Sequence, residues 1–329
     1  MTKKITVIGG SGFVGTNLCR QLQLMQQDFE IIDIKVSNKF SDKCKYGDVR
    51  DIQSLRDGIS GDLIINLAAV HRDNAPDTSE YHRTNVDGAK NIISVCNEMG
   101  IHKIIFTSTV AVYGFATPGT DETGIIKPFN KYGRTKFEAE ECFRAWQREG
   151  NNSLIIVRPT VIFGEGNRGN VFNLLNQIAL GRFVMIGRGE NKKSMAYIAN
   201  VVAFLEACIE TNQRYGLYNY VDTPNLKINE LVELVRNKLH NKTGTGIQVP
   251  YLLALFFGNL ADLVSIIVKR NFLISSIRVK KFASSTEFLS SKASLNDFQA
   301  PYELREGLLR TLESEFISPS PDREIFFTE

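Results

Sequence analysis

Cysteine and histidine are scarce in this chain of 329 residues, which has five of the first and four of the second. The cysteines never form a Cys-x-x-Cys pair and are scattered over the chain: Cys19, Cys44, Cys96, Cys142 and Cys208. The histidines show no metal-ligand spacing. These absences argue against a disulfide framework and a zinc site, and we expect a reducing compartment and no bound metal.

Strong charge and an N-terminal apolar run are also missing. The net charge is only +3, too small to predict a surface for nucleic acid. The first residues, MTKKITVIGG, enter a strand-like run directly, whereas a signal peptide needs an apolar stretch of roughly 7–15 residues. We therefore expect a globular, cytoplasmic protein, and the 43% hydrophobic content is sufficient for a large core.

Short apolar runs alternate with amphipathic segments along the first half of the chain. Strand-like runs occur at 4–8, 29–34, 62–69, 103–114 and 153–164, and helical patterns separate them, including 78–99 and a segment ending near 148. Such alternation predicts an α/β fold with a doubly wound parallel sheet and helices on both faces.

A glycine motif lies between the first predicted strand and helix. Gly9, Gly12 and Gly15 form GxxGxxG, with Phe13 and Val14 inside it. Such glycines allow a tight turn, close approach of a pyrophosphate to the backbone, and packing of helix on strand. The start of the helix then offers free N–H groups to the phosphates. The motif predicts a Rossmann-like dinucleotide site.

Asp33 closes the second predicted strand, 18 residues beyond Gly15. A carboxylate there can hydrogen-bond the ribose hydroxyls of adenosine and would repel a 2′-phosphate, so it favours NAD over NADP. Lys35, close by, is the feature that speaks for NADP.

Further cofactor contacts are predicted after the next strands. Asp48 can accept from the adenine amino group with Val49 against the ring, although a turn followed by Asp51 as a helix cap explains the same residues. The remaining predicted cofactor contacts are Leu67, Ala68, Ala69, Asn85, Tyr132, Lys136 and Pro159. We expect residues 1–165 to form the cofactor domain, with a strand near 218–222 returning to it, and 166–329 to form a smaller, interleaved substrate domain.

A tyrosine and a lysine in YGRTK suggest the chemistry. Tyr132 and Lys136 are four residues apart and share one face of a helix, while Thr109 ends a predicted strand. A free tyrosine has a pKa of about 10, which a nearby ammonium group and a positive nicotinamide would lower. The three groups suit removal of a proton from an alcohol whose carbon gives a hydride to NAD⁺.

Several motifs together resemble the extended short-chain dehydrogenase/reductase family, in its sugar-nucleotide epimerase/dehydratase branch: GGSGFVG, GDVRD, NLAA, TSTVAVYG, YGRTK and RPTVIFGEGN. The resemblance covers residues 4 to about 222. It implies that Thr109 is the catalytic Ser/Thr, that Tyr132 and Lys136 are the catalytic YxxxK pair, and that Asn85 supports the site. It also implies a C-terminal domain that binds a sugar diphosphate.

Other segments, among them AAVHRDN, MIGRGENKKSMAYIANVV and SSIRVKKF, resemble the subgroup of bacterial N-acetylglucosaminyl-diphospho-undecaprenol 4-epimerases of O-antigen assembly, long labelled UDP-N-acetylglucosamine 4-epimerases. The resemblance implies interconversion of GlcNAc and GalNAc on a diphosphate carrier. Tyr132 would take the O4 proton, C4 would give its hydride to NAD, and the hydride would return to the other face. Val110 and Ala111 stand where dehydratases carry acidic residues, which argues against 4,6-dehydration.

The resemblance also implies substrate contacts. Arg168, Lys192 and Lys193 lie in loops that hold substrate phosphate in relatives. Lys193 stands where many relatives have arginine; lysine keeps the positive charge but loses the bidentate fork. Capping or surface roles remain open for Asn170 and Asn173 as alternatives to sugar or diphosphate binding. The remaining candidates, expected to face the sugar, are His71 and Arg72.

Residues 251–268 are unusually apolar, with 14 apolar residues in 18. Asp262 and the Gly258–Asn259 pair argue against a membrane-spanning helix. The following cations are Lys269, Arg270, Arg278, Lys280 and Lys281. An apolar face flanked by cations suits an interfacial helix, so contact of 251–281 with the inner face of the cytoplasmic membrane is one expectation. Burial in the core or in a homodimer interface is the alternative, and we expect a homodimer.

Other functions share some of these features. A UDP-GlcNAc or UDP-glucose 4-epimerase would use the same residues. A 4-reductase of a UDP-4-keto-6-deoxy-N-acetylhexosamine would need exchangeable NADPH, against which Asp33 speaks. A hydroxysteroid dehydrogenase-like enzyme would not need the basic loops. A non-catalytic dinucleotide sensor would not need Thr109, Tyr132 and Lys136 together.

Overall fold

The computed structural model describes residues 3–70, 77–268 and 275–327. Its strands, numbered along the chain, are β1 Ile5–Ile8, β2 Phe29–Asp33, β3 Cys44–Tyr46, β4 Leu63–Asn66, β5 Lys103–Thr107, β6 Ser153–Pro159, β7 Val161–Phe163, β8 Met185–Ile186, β9 Lys192–Lys193, β10 Met195–Tyr197, β11 Tyr215–Tyr220, β12 Leu226–Lys227 and β13 Gln248–Val249.

The α-helices are α1 Phe13–Leu24, α2 Ile52–Gly58, α3 Ser79–His82, α4 Gly88–Met99, α5 Lys131–Arg148, α6 Asn170–Ala179, α7 Ile198–Glu210, α8 Ile228–His240, α9 Tyr251–Val268, α10 Ser276–Ala283 and α11 Leu304–Leu312. Short 3₁₀ helices cover Ser41–Lys43, Val110–Tyr113 and Lys292–Ser294, and π-helical turns cover Arg83–Asp87 and Glu313–Ile317.

Seven parallel strands form the central sheet in the order β11-β6-β5-β4-β1-β2-β3. The chain winds outward from β1 in both directions, since β1 pairs with both β2 and β4. Ligands of such sheets bind beyond the carboxyl ends of the strands at this reversal. The loops after β1, β4 and β5 therefore share one edge of the sheet.

Two apolar layers cover the faces of the sheet. Along β1, Val7 packs into the layer that contains α1 and α7, whereas Ile8 packs into the layer that contains α4 and α5. Both side chains are at most 1% exposed. Strands buried on both faces read as continuous apolar runs, and the predicted Rossmann-like, doubly wound sheet is confirmed.

Several predicted elements are shorter than the sequence pattern indicates. The strand predicted over 103–114 ends at Thr107 and is followed by the 3₁₀ turn Val110–Tyr113. The strand predicted over 153–164 breaks at Thr160, whose N–H donates to Tyr220 O. A strand at Tyr215–Tyr220 forms the edge of the sheet beside β6. The division into domains at 165/166 stays a prediction.

Glu30 on β2 joins the strands at the opposite edge. Its carboxylate, 3% exposed, accepts hydrogen bonds from Thr6 Oγ1 at 2.8 Å and from Ser60 N and Oγ at 2.6 and 2.7 Å. Lys4 and Lys45 add ion pairs at 3.0 and 3.1 Å. Burial alone would raise the pKa of Glu30, but the hydrogen bonds from Ser60, Thr6 and Lys4 outweigh it and lower the pKa to about 2.

Glu30→Gln should lower the free energy of unfolding by about 3 kcal/mol at pH 7, because a carboxyl with a lowered pKa stabilises the fold above its unfolded-state pKa. The difference from the native protein should shrink as pH falls from about 4.5 to about 2. Urea unfolding across this range measures it, with Glu210→Gln on the exposed end of α7 as the control. Equal stabilities of the Glu30→Gln and native proteins at pH 7 would contradict the assignment.

Candidate active site

The three motif glycines differ in what surrounds them. Gly9 has a φ of +79°, and a Cβ there would lie 2.7 Å from Ala68 N. A Cβ on Gly15 would lie 2.5 Å from Gly10 Cα. At Gly12 the nearest atom, Gly9 O, would be 3.4 Å away, an ordinary contact. Gly9 and Gly15 thus serve the turn and the packing of helix on strand, whereas the backbone at Gly12 can be approached from outside.

Helix α1 begins at Phe13, directly after Gly12. Within the described part of the chain, no side chain accepts a hydrogen bond at its N-cap, and its first turn holds no acidic residue. The N–H groups of Phe13, Val14 and Gly15 have no partner inside the helix and carry its positive dipole end. This cradle fits the pyrophosphate of a dinucleotide.

Asp33 fastens the glycine loop to the end of β2. Its Oδ2 accepts from Ser11 N and its Oδ1 from Lys35 N, each at 3.0 Å. Ser11 Oγ donates in turn to Lys35 O at 2.8 Å. Each carboxylate oxygen has a second lone pair with which to accept a ribose hydroxyl. Asp33 therefore shapes the loop and can still bind the adenosine ribose, as the sequence predicts.

The carboxylate of Asp48 is already occupied within the chain. Arg50 donates from Nε to Oδ1 at 2.9 Å and from Nη2 to Oδ2 at 2.6 Å, and these hydrogen bonds lower the pKa of Asp48. Asp51 caps α2 by accepting from Gln53 N. Val49 is 6% exposed and packs against Gly88. An adenine amino group would share Asp48 with Arg50, and this contact stays a prediction.

The loop after β4 lies beside the glycine turn. Leu67 N donates to Ile8 O at 2.9 Å and Ala68 N to Asn66 Oδ1 at 3.1 Å. Leu67, Ala68 and Ala69 are half-buried. Their position beyond the carboxyl end of β4 suits contact with a cofactor at the reversal of the sheet.

Asn85 connects this loop to helix α5, which carries Tyr132 and Lys136. It is 4% exposed, accepts from Val70 N at 3.1 Å, and donates to Val70 O at 3.3 Å and to Thr135 Oγ1 at 3.0 Å. Because Thr135 precedes Lys136 on α5, the amide of Asn85 joins the two walls of the site. This geometry agrees with the supporting role that the resemblance implies.

The start of α5 packs against the turn that carries Thr109. Asn130 caps the helix by accepting from Gly133 N at 2.9 Å. A Cβ on Gly133 would lie 2.5 Å from Ala111 O, so the two backbones touch. Thr109, 8% exposed, accepts from Ala111 N at 3.1 Å, which leaves its hydroxyl hydrogen to donate. The fold thus brings the Thr109 turn against the first turn of α5, which contains Tyr132.

Tyr132 and Lys136 stand on successive turns of α5, the first half-buried and the second 1% exposed. Lys136 Nζ lies 4.2 Å from the centroid of the Phe106 ring. Burial lowers the pKa of Lys136 to about 7, and the negative charge of Glu140 opposes the effect. The charge of this lysine is therefore sensitive to its immediate surroundings.

Most predicted substrate cations contact the protein itself. Arg168 Nη1 lies 2.7 Å from the buried Glu315 carboxylate, and its guanidinium stacks on Phe172 at 4.0 Å. Lys193 Nζ donates to Ser284 O at 2.6 Å, and burial lowers its pKa to about 8. Their roles as phosphate ligands stay predictions, as does that of Lys192, which pairs with Glu287 at 2.8 Å.

The other predicted contacts are placed as follows. Asn170 and Asn173 are exposed in the first turn of α6. Pro159 ends β6 and is buried beside β11. His71 and Arg72 lie outside the described residues.

Sequence reasoning missed a buried ion pair one turn beyond Lys136, formed by Glu140 and Arg158. Glu140, 0% exposed, hydrogen-bonds Arg158, 1% exposed, and the hydroxyl of Ser108. One signal was available, since Glu140 follows Lys136 by four residues on the same helical stripe. Arg158 on β6 and Ser108 after β5 are 18 and 32 residues away in sequence, and no local pattern identifies them.

The model of the NAD dependent epimerase/dehydratase family matches residues 5–220. This chain belongs to that family. It is 43% identical, over 335 aligned positions that cover all of both chains, to the N-acetyl-alpha-D-glucosaminyl-diphospho-ditrans,octacis-undecaprenol 4-epimerase of Escherichia coli O157:H7. The predicted family, the enzyme class and NAD as its cofactor are thereby confirmed.

Solved structures of similar fold include a nucleotide-sugar epimerase and a protein solved with a nucleotide sugar. The UDP-N-acetylglucosamine 4-epimerase from Bacillus cereus has a TM-score of 0.73 at 18% identity, covering 94% of this chain and 98% of that one. MoeE5 in complex with UDP-glucuronic acid and NAD has a TM-score of 0.72 at 21% identity, with coverages of 94% and 98%. At such identities these structures support the fold alone.

Gly12→Ala and Gly15→Ala should affect the protein differently. An extra carbon at Gly15 meets backbone and should destabilise the fold by about 1–3 kcal/mol, whereas at Gly12 it fills the approach to the phosphates and should reduce bound NAD without destabilising the apoprotein. Thermal unfolding of the stripped protein and the NAD content of the purified protein measure the two effects. Equal NAD content in the Gly12→Ala and native proteins would contradict the cradle.

Proposed function

We propose that this chain is an NAD-dependent 4-epimerase that interconverts GlcNAc and GalNAc on undecaprenyl diphosphate, in bacterial surface-polysaccharide biosynthesis. The observation that carries the proposal is the 43% identity over the whole length of the E. coli enzyme named for this substrate. The match extends through the C-terminal third, beyond the family model that ends at residue 220, where a sugar-diphosphate site would lie.

The residues of the site divide the chemistry between them. When bound, NAD supplies a reversible acceptor for the hydride of C4. Tyr132 takes the proton of the O4 hydroxyl and gives it back to the epimer. Lys136, when charged, favours the phenolate form of Tyr132, and Thr109 uses its free hydroxyl hydrogen to orient the reacting oxygen. Reaction at C4 leaves no net redox change, so the cofactor has no need to leave.

Retention of the cofactor agrees with the residues around it. Asp33 is held by two backbone N–H groups, so its carboxylate is already in place for a ribose. A 2′-phosphate would meet this negative charge. The 4-reductase, which needs exchangeable NADPH, is disfavoured for the same reason.

A membrane-linked substrate suits the surface of α9. The small and polar side of the helix faces α10, since Asp262 Oδ2 accepts from Ser276 N at 3.1 Å and a Cβ on Gly258 would lie 3.0 Å from Ser276 Cα. The other side exposes large apolar side chains: Leu252 is 77% exposed, Phe256 61% and Phe257 52%. We infer that this apolar face of α9 rests on the lipid surface that holds the substrate.

The helix would lie along the membrane and not through it. Among the residues that the structure describes, no helix has both the length and the hydropathy needed to cross a bilayer. An exposed apolar helix face at the interface is consistent with a peripheral association. Lys269 and Arg270 lie outside the described residues. The homodimer stays a prediction.

Purified protein should convert GlcNAc-diphospho-undecaprenol to the GalNAc form and leave UDP-GlcNAc unchanged. Tyr132→Phe should lower turnover about 100-fold or more, because the general base is lost, while retaining bound NAD. Radiolabelled substrates and sugar analysis of the products measure both effects. Turnover of UDP-GlcNAc alone would contradict the proposed carrier, and full turnover by Tyr132→Phe would contradict the proposed base.

The double variant Leu252→Ser/Phe256→Ser should bind vesicles of phosphatidylethanolamine and phosphatidylglycerol about 100-fold or more weakly, since each apolar side chain buried in the interface contributes roughly 1.5–3 kcal/mol. Flotation measures the binding. Leu24→Ser/Phe115→Ser is the matched control, because these side chains are 79% and 67% exposed elsewhere on the surface.

If the Leu252→Ser/Phe256→Ser protein binds vesicles as well as the control does, the proposed membrane contact is wrong. A change of its mass in sedimentation, without a change in flotation, would assign the same face to contact between two copies of the chain.

A further inference from the structure

A buried carboxylate lies one turn beyond Lys136 on α5. Glu140, 0% exposed, accepts hydrogen bonds from Ser108 Oγ at 2.5 Å, from Arg158 Nε and Nη2 at 2.8 and 2.5 Å, and from Arg144 Nη2 at 2.9 Å. These donors come from the loop after β5, from β6 and from α5 itself. The Glu140 carboxylate therefore joins α5, β6 and the loop after β5 through charge-assisted hydrogen bonds.

The network continues away from Glu140 through the guanidinium group. Arg158 Nη1 donates to the Tyr113 hydroxyl at 2.7 Å, which donates to Asn219 Oδ1 on β11 at 2.8 Å. Burial opposes the charge of Arg158, but the hydrogen bonds and charge of Glu140 outweigh it and raise the pKa of the guanidinium group. Arg158 is therefore charged throughout the working pH range, and its two hydrogen bonds fix the position of the Glu140 carboxylate.

Glu140 also belongs to the reacting face of α5. Tyr132, Lys136 and Glu140 recur at every fourth residue and form one stripe of the helix. On the other side, Ser108, which donates to Glu140, immediately precedes Thr109. Glu140 thus lies one helical turn from Lys136, and the serine that donates to it is adjacent in sequence to Thr109.

We propose that Glu140 is a positioning residue for the reaction, which keeps Lys136 in its charged form and holds the Thr109 turn against α5. This inference rests on the proposed function, in which Tyr132 transfers the O4 proton beside a charged Lys136. Nothing in the proposal requires Glu140 to touch the substrate or the cofactor.

The charge of Lys136 depends on the groups that surround it. Tyr132 and Glu140 share its helical stripe on α5, Arg158 on β6 and Arg144 on α5 pair with the Glu140 carboxylate, and the Phe106 ring on β5 is uncharged. Burial lowers the pKa of Lys136 to about 7, and the charge of Glu140 is what opposes this. Without that charge the pKa of Lys136 would fall further, and the phenolate of Tyr132 would lose its neighbouring cation over most of the neutral range.

Glu140→Gln in the NAD-loaded protein tests the proposal through its pH–rate profile. The alkaline limb, which reports loss of the lysine proton, should move to lower pH by about one unit or more, and turnover at pH 8 should fall about tenfold with KM unchanged. Near-ultraviolet tyrosinate absorbance, taken as the difference from Tyr132→Phe, should appear at higher pH. Glu141→Gln is the matched control, because its carboxylate is 51% exposed one residue along α5.

A second variant guards against misfolding, since Glu140→Gln leaves the buried guanidinium group of Arg158 without a charged partner. Glu140→Gln/Arg158→Met removes both charges, a replacement that buried ion pairs often tolerate. The shift of the alkaline limb should persist in this variant at a native unfolding temperature. A native pH profile in the double variant would overturn the proposal and leave the network a purely structural role.

The two proposals fail separately. If Tyr132→Phe loses turnover while Glu140→Gln retains the native profile and tyrosinate titration, the inference about Glu140 is wrong and the proposed function stands. If Tyr132→Phe retains full turnover, the proposed base is wrong, and the inference about Glu140 falls with it.

Discussion

Lys136 places an ammonium group where water barely reaches it, with a side chain 1% exposed and a nitrogen over the Phe106 ring. A buried ammonium group loses its proton readily unless another charge or a hydrogen bond compensates. Glu140, one turn along α5, supplies that charge and is itself paired with Arg158. Helix α5, the loop after β5 and strand β6 are thereby joined through one carboxylate.

The parallel sheet supplies the other constraint. Its strand order makes β1, β4 and β5 neighbours, so the glycine turn, the Ala68 loop and the Thr109 turn emerge at one edge. Close backbone contacts then define the cleft: Gly9 against Ala68 N, and Gly133 against Ala111 O. Asn85 joins the loop after β4 to helix α5 through Val70 and Thr135. The residues predicted to bind the cofactor and those predicted to act in catalysis lie close together because the fold leaves little space between the loops that carry them.

Local patterns in the sequence suffice for much of this arrangement. The spacing of Gly9, Gly12 and Gly15 indicates a single strand-to-helix turn. Tyr132 and Lys136 are one helical turn apart. What local patterns omit is pairing across the fold. Arg168, predicted to bind phosphate, contacts Glu315, which is distant in sequence, and this role stays a prediction.

Element boundaries were missed for a similar reason. The apolar run 103–114 continues beyond the sheet because its later residues pack in the turn Val110–Tyr113, where Val112 and Tyr113 are at most 2% exposed. A buried turn and a buried strand have the same composition, so periodicity cannot separate them. For α9 the opposite holds: its composition resembles that of a core helix, and only the structure reveals that Leu252 and Phe256 are exposed.

The most direct test of the proposed chemistry is the fate of the hydrogen at C4. GlcNAc-diphospho-undecaprenol carrying deuterium at C4 would be incubated in ordinary water with protein as purified, and the GalNAc product analysed by mass spectrometry. Hydride transfer within one closed site predicts that the deuterium stays at C4, since only the O4 proton passes through Tyr132. Replacement of the deuterium by solvent hydrogen in the epimer would contradict the account.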